Sequence, residues 1–223
     1  MMTNLFSIFD PASPNSLSAN WCSSLLFVLL MPGAQWVAST RYSGLFKQLS
    51  DYLFSEFRPI VKKASFVLLI SVSLLLLIMF NNVAGLLPYI FTATAHLSFS
   101  LCFGLAAWSG LMLYGWSFNT QALLVHLIPQ GTPAALMPFM VVIESISNII
   151  RPGTLAVRLS ANMIAGHLLL SLLSSSFSFS PLMAVPILAI AELALISLEC
   201  AVAFIQSYVF SVLLTLYMAE FSD

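Results

Sequence analysis

Charge is what this chain has least of. Only 7% of its 223 residues are Asp, Glu, Lys or Arg, and the formal net charge is −1. A soluble domain is about a quarter charged, so a soluble globular reading is excluded. With no basic excess, nucleic acid is excluded as a partner. Cysteine is equally scarce. Cys22, Cys102 and Cys200 stand alone inside apolar segments with no CxxC spacing, which reads as buried thiols and gives neither a disulfide framework nor a metal site. No P-loop, Rossmann glycine pattern or serine triad is present, and no helix carries two histidines spaced to hold a haem, so no cofactor is expected. The N-terminus, MMTNLFSIFDPASPNSL, lacks a basic region and an Arg-rich amphipathic presequence. The expectation is that no cleavable targeting peptide is present and that the first apolar segment inserts directly.

What is present is hydrophobic sequence, 60% of the chain. That composition predicts an all-α polytopic membrane protein in one membrane domain. About six helices are expected, one an amphipathic interfacial helix and two a long, strongly tilted antiparallel pair. A first membrane helix is expected over 17–37, interrupted near its end by Pro32-Gly33. In 41–63, apolar residues at 42, 45, 46, 49, 52, 53, 57, 60 and 61 mark one oily face of a helix, with Arg41, Lys47, Asp51, Glu56 and Arg58 largely on the rest. Such a helix lies in the interface and does not cross. Five of the seven basic residues sit in this segment, which the positive-inside rule places on the cytoplasmic or matrix side. Transmembrane helices are expected over 64–87 and 96–118, and a semi-polar connection over 119–132. Residues 133–175 and 181–218 follow with little loop chemistry apart from Pro152-Gly153. As helices at 1.5 Å per residue they would be roughly 64 and 57 Å long against a hydrocarbon core of about 30 Å. No internal repeat supports an inverted-repeat transporter.

Those two long segments hold nearly all the intramembrane charge. Glu144, Arg151 and Arg158 step by seven and share a face, and Asn162 falls near Arg158. His167 lies nine residues beyond Arg158, about 180° around the helix. In the last segment Glu192, Glu199 and Gln206 also step by seven, forming a polar stripe. An arginine at a helix centre in lipid costs roughly 2.5–3.5 kcal/mol on insertion scales and cannot shed its proton. Arg158 therefore marks an ion pathway or is a structural cation paired with Glu199 or Glu192. A proton path needs titratable or hydrated groups that do not run continuously across the membrane, and a fixed cation between two polar half-paths provides the interruption. Blander readings stand beside this one. Arg151 can snorkel to an interface, Glu192 can be a packing carboxyl, Glu144 a helix-boundary residue, and Asn81 and Asn82 helix-to-helix hydrogen-bonding groups. His96 and His126 read as incidental.

The stretch AVRLSANMIAGHLLL, preceded by PQGTPAALMPFMVVIESISNIIRPGTL and followed by LECAVAFIQSYVFSVLLTLYMAE, together with FNNVAGLLPYIFT, closely resembles the subunit a family of F-type ATP synthases, in its mitochondrially encoded animal form. The similarity is strongest over 129–220. The resemblance implies a subunit that is not catalytic alone and serves as the stator half of a rotary motor in the mitochondrial inner membrane. Its implied partners are the c-subunit ring, the peripheral-stalk subunit b, small accessory membrane subunits and the lipid bilayer. Arg158 would face the ring and meet its carboxylate, while His167 and Glu199 would line the half-channel open to the intermembrane space. Gln206 and Asn162 would stand near the arginine. Glu144, with Glu220, would serve the matrix-side half-channel. Glu192 joins the polar stripe, and Arg151 is not placed in the channel. A stand-alone secondary transporter or ion channel is the alternative, as is a structural subunit of a respiratory complex. The polar groups on both sides of Arg158 favour the rotary reading over either.

Overall fold

Backbone amides in an apolar medium must find partners within the chain, and helices satisfy them locally. The computed structural model describes residues 5–12, 19–25, 28, 31, 40–61, 65–118, 120–128, 133, 136–177, 181 and 183–222. Among these there is no strand. The helices are α1 (Arg41–Phe57), α2 (Ser65–Gly85), α3 (Leu97–Phe118), α4 (Thr120–His126), α5 (Met137–Phe177) and α6 (Val185–Ser222). Short 3-10 turns cover Leu5–Phe9, Asn20–Leu25 and Ala93–Ala95. The helix expected over 17–37 lies largely outside the described residues. The connection expected after α3 contains the short helix α4.

Four helical stretches are long and apolar enough to cross a membrane: Phe66–Gly85, Leu97–Phe118, Met137–Phe177 and Val185–Ala219. The chain is a polytopic helical membrane protein. Hydroxyls within these stretches are satisfied on their own helix. Ser171 donates to Leu168 O at 2.8 Å, Ser197 to Ala194 O at 2.8 Å and Ser207 to Phe204 O at 2.8 Å, the local arrangement that lets serine sit in lipid. Large side chains such as Ile187, Ile190, Leu193 and Leu198 are exposed on α6, the reverse of a soluble surface and suited to lipid or partner helices. Pro152 lies inside α5 without ending it. Pro152-Gly153, the one interruption offered by the sequence, is thus helical.

The described residues form two packed units. The first comprises Met1–Met31, Leu76–Ser100 and Arg158–Tyr208. Ala95, Met163 and Ala203 make its buried centre, with Phe9, Val83, Leu86 and Ile164 packed against them. The chain leaving α2 turns back on the helix end: a Cβ at Gly85 would lie 2.8 Å from Thr92 Cγ2, so only glycine permits this approach. Tyr89, fully exposed in that turn, takes a positive φ of 68°, an uncommon conformation for a bulky residue. Ser23 Oγ donates to Phe91 O at 2.9 Å, and the Trp21 ring packs on Phe91 and His96.

The second unit comprises Pro32–Leu75, Leu101–Val157 and Val209–Asp223. Thr40 caps α1 by accepting a hydrogen bond from Ser43 N. Helix α1 buries Leu53 and Phe57 while Tyr42, Leu45, Leu49 and Tyr52 form an exposed apolar stripe. Gly104 of α3 lets the chain approach α5, since a Cβ there would stand 3.4 Å from Pro152 O and 3.5 Å from Ala156 Cβ.

Candidate functional site

Arg158 is exposed on α5, as are Val157, Ala161, Asn162 and Ala165. Among the described residues it has no hydrogen bond and no ion pair; the salt bridge there is Arg151–Glu144. Neither Glu192 nor Glu199 pairs with it. The structural-cation reading, which required one of them, has no support in the geometry. A guanidinium, always charged, is thus presented outward from an apolar helix.

Beside it, within the first unit, is a chamber of about 690 Å³, whose polar lining is Asn82, Asn162, Glu199 and Gln206. Leu159, Met163, Leu195 and Ala203 are among its apolar walls. Glu199 and Gln206, seven apart on α6, reach this one space because that spacing returns side chains to the same helix face. Glu199 crosses against Gly166 of α5, where a Cβ would meet its Cδ and Oε1 at 2.7 Å. Glu199 Oε1 is buried with no hydrogen-bond partner among the described residues, and so are both amide atoms of Asn82.

His167, the next residue after Gly166, belongs to a different space. It lines a vestibule of about 1020 Å³ with Thr92, Ser171, Ser174, Glu192 and the Tyr89 turn. Its Nε2 is buried without a partner among the described residues. Phe9 from the N-terminal turn meets the imidazole edge-on, with ring centroids 6.3 Å apart and planes at 85°. The vestibule therefore holds His167 with Glu192, and the chamber holds Glu199 with Gln206 and Asn162. No group of three metal-ligating side chains occurs among the described residues.

In the second unit Arg151 Nη2 donates to Glu144 Oε1 at 3.2 Å, both side chains about a third exposed at 32% and 31%. The Arg151 guanidinium also lies 5.5 Å from the Tyr217 ring centroid. It lines a small cavity of about 310 Å³ with Trp108, Pro152, Phe210 and Tyr217. The seven-residue spacing of Glu144 and Arg151 is two helical turns, which the long arginine side chain spans. The Glu220 side chain lies outside the described residues.

Three participants, Gly166, Tyr217 and Asn82, were not legible as such from helical spacing. Gly166 gives no signal of its own, and Tyr217 looks like one more aromatic in an apolar run. Asn81 and Asn82 read as helix-to-helix hydrogen-bonding groups. Instead Asn81 Nδ2 donates to Leu77 O of its own helix at 2.9 Å, and Asn82 faces the chamber. The signal that separates them is burial without a partner, which sequence does not contain.

Comparison with known proteins fits this geometry. The family described as ATP synthase A chain matches residues 16–219. ATP synthase subunit a of Drosophila melanogaster is 52% identical over 222 residues, covering 99% of each chain. The proteins of the same name from Aedes aegypti and Locusta migratoria are 50% and 49% identical, again over 99% of each chain. On this full-length similarity, the chain belongs to the ATP synthase A chain family.

Proposed function

We propose that this chain is the proton-translocating stator subunit in the membrane sector of a rotary ATP synthase, seated in the mitochondrial inner membrane against a ring of c subunits. The observation that carries the reading is Arg158, an exposed cation with no counter-charge among the described residues. Left in lipid it is expensive; met by a carboxylate on a moving partner, it is compensated. Ala161 and Ala165, exposed one and two turns on, leave room for a partner helix to approach closely. Family membership supports the same reading.

The steps follow from charge and hydration. Protons enter the vestibule at His167 and Glu192, pass to Glu199 and reach a ring carboxylate. Once neutral, that carboxyl can face lipid, where its charged form would be costly. After nearly a full turn it releases its proton toward Glu144 and Glu220 on the matrix side. The bare carboxylate is then drawn to Arg158, whose positive field also repels protons that would cross directly. Each charge moved releases about 2.3 kcal/mol per 100 mV. At 41 and 38 residues, α5 and α6 would be about 62 and 57 Å long. They fit a core of about 30 Å only by lying strongly oblique, which sets a long face against the ring. The apolar stripe of α1 rests at the matrix-side interface. Subunit b and small accessory subunits contact the N-terminal part of the chain. This subunit makes no bonds to ATP.

A photoreactive side chain placed at Ala165 in the assembled complex tests the reading. Capture of the ring subunit is expected. Capture of lipid or other subunits alone would contradict it.

A further inference from the structure

We infer that Phe9, in the N-terminal turn, is a positioning residue that fixes the plane of the His167 imidazole. A histidine that passes protons is ordinarily oriented by a hydrogen bond to one of its ring nitrogens. His167 makes no such bond among the described residues. Its Nε2 is closed off without a partner, so exchange with the vestibule falls to Nδ1. A ring that turned over would present the wrong nitrogen to each side. With no hydrogen bond to prevent this, packing has to hold the ring.

Phe9 supplies that packing. Its ring centroid stands 6.3 Å from that of the imidazole, with the planes at 85°, the edge-to-face geometry that aromatic pairs favour. Phe9 is itself packed on the buried centre of Ala95, Met163 and Ala203, so the plate against His167 is backed by the core. The segment that carries Phe9 is held by other groups. Asp10 N donates to Ser7 O at 3.3 Å, and Asn20 Nδ2 to Pro11 O at 2.9 Å. Ser23 Oγ donates to Phe91 O at 2.9 Å, and Trp21 packs on Phe91 and His96. Truncating Phe9 therefore removes the ring from His167 and leaves the segment anchored. Of the other groups lining the vestibule, Glu192 of α6 is the acidic one, with Thr92 and Ser171 beside it. None of them hydrogen-bonds to His167.

This inference rests on the proton-path reading above, and the test separates the two. ATP-driven proton pumping is measured in sealed vesicles holding the assembled complex, for the native chain, Arg158→Gln, Phe9→Leu and Phe9→Tyr. Initial rates are taken across a range of pH on the side onto which the vestibule opens. Phe9→Leu keeps apolar bulk on the core and loses the ring. It is expected to assemble and to pump about tenfold more slowly, with the midpoint of its pH profile moved by about half a unit or more. Phe9→Tyr keeps the ring, so its rate should stay within about threefold of native and its midpoint should not move. A native rate and profile in Phe9→Leu overturns the inference. So does a loss in the same proportion at every pH, which is what a packing role alone gives, or an equal loss in Phe9→Tyr. Native pumping by Arg158→Gln overturns the underlying reading. Should Phe9→Leu fail to assemble, a density map of the native complex at side-chain quality decides. The Phe9 ring against an imidazole free of hydrogen bonds from protein is expected, and a protein hydrogen bond on His167 overturns the inference.

Discussion

Gly166 and Glu199 occupy each other's space: a Cβ at position 166 would stand 2.7 Å from both Cδ and Oε1 of Glu199 and 3.1 Å from its Cγ. The glycine is the reason a carboxylate can lie flat against α5 at the chamber. Any side chain there must push it away.

Gly166→Ala follows directly. The displaced atoms are the far end of a flexible side chain, and alanine is the better helix former by roughly 0.5–1 kcal/mol, so assembly should hold. Misplacement of a proton-transfer group by about 1 Å can cost up to about a hundredfold. Pumping by the assembled complex should fall between about tenfold and a hundredfold. Native pumping rates would show that the position of the Glu199 carboxyl is immaterial.

Gly85→Ala should behave in the opposite way, because Thr92 is buried and close to its own backbone. The clash with Thr92 Cγ2 at 2.8 Å should cost about 1–3 kcal/mol, seen as less assembled complex on a native gel and a lower unfolding temperature. Thr92→Ser removes that methyl and leaves contacts of 3.6 Å and 3.9 Å. The double variant Gly85→Ala with Thr92→Ser should recover most of the loss, and failure to recover would refute the steric account.

Arg151→Gln removes the cation from Glu144. Slower proton transfer is expected, and the loss should largely vanish when Glu144→Gln is already present, since residues acting as a pair are not additive. Additive losses would place Arg151 in a separate role. Tyr217→Leu removes only the ring facing the guanidinium and should weaken that arrangement by about 0.5–1 kcal/mol.

Composition and periodicity made the helical membrane fold legible, because a chain 7% charged and 60% hydrophobic has few other ways to bury its backbone. The seven-residue spacings were also informative: they carried the Arg151–Glu144 pair and the joint placement of Glu199 and Gln206. What they could not show depends on packing between helices. The separation of His167 and Glu192 from Glu199 into two cavities, the orphaned amide of Asn82 and the Gly166–Glu199 contact all arise from how α2, α5 and α6 meet. Pro152 shows the same limit in local structure. A residue that usually breaks a helix is carried inside α5, buried at the point where Gly104 allows close approach.

The most direct measurement is ATP-driven proton pumping by vesicles holding the assembled complex, native against Arg158→Gln, with assembly confirmed on a native gel. The account predicts an intact complex that does not pump, because Arg151, on the same face, is held by Glu144 and Arg158 is the cation left to meet the ring carboxylate and hold the two half-channels apart. Pumping near the native rate in the assembled variant would make Arg158 a structural residue and contradict the mechanism.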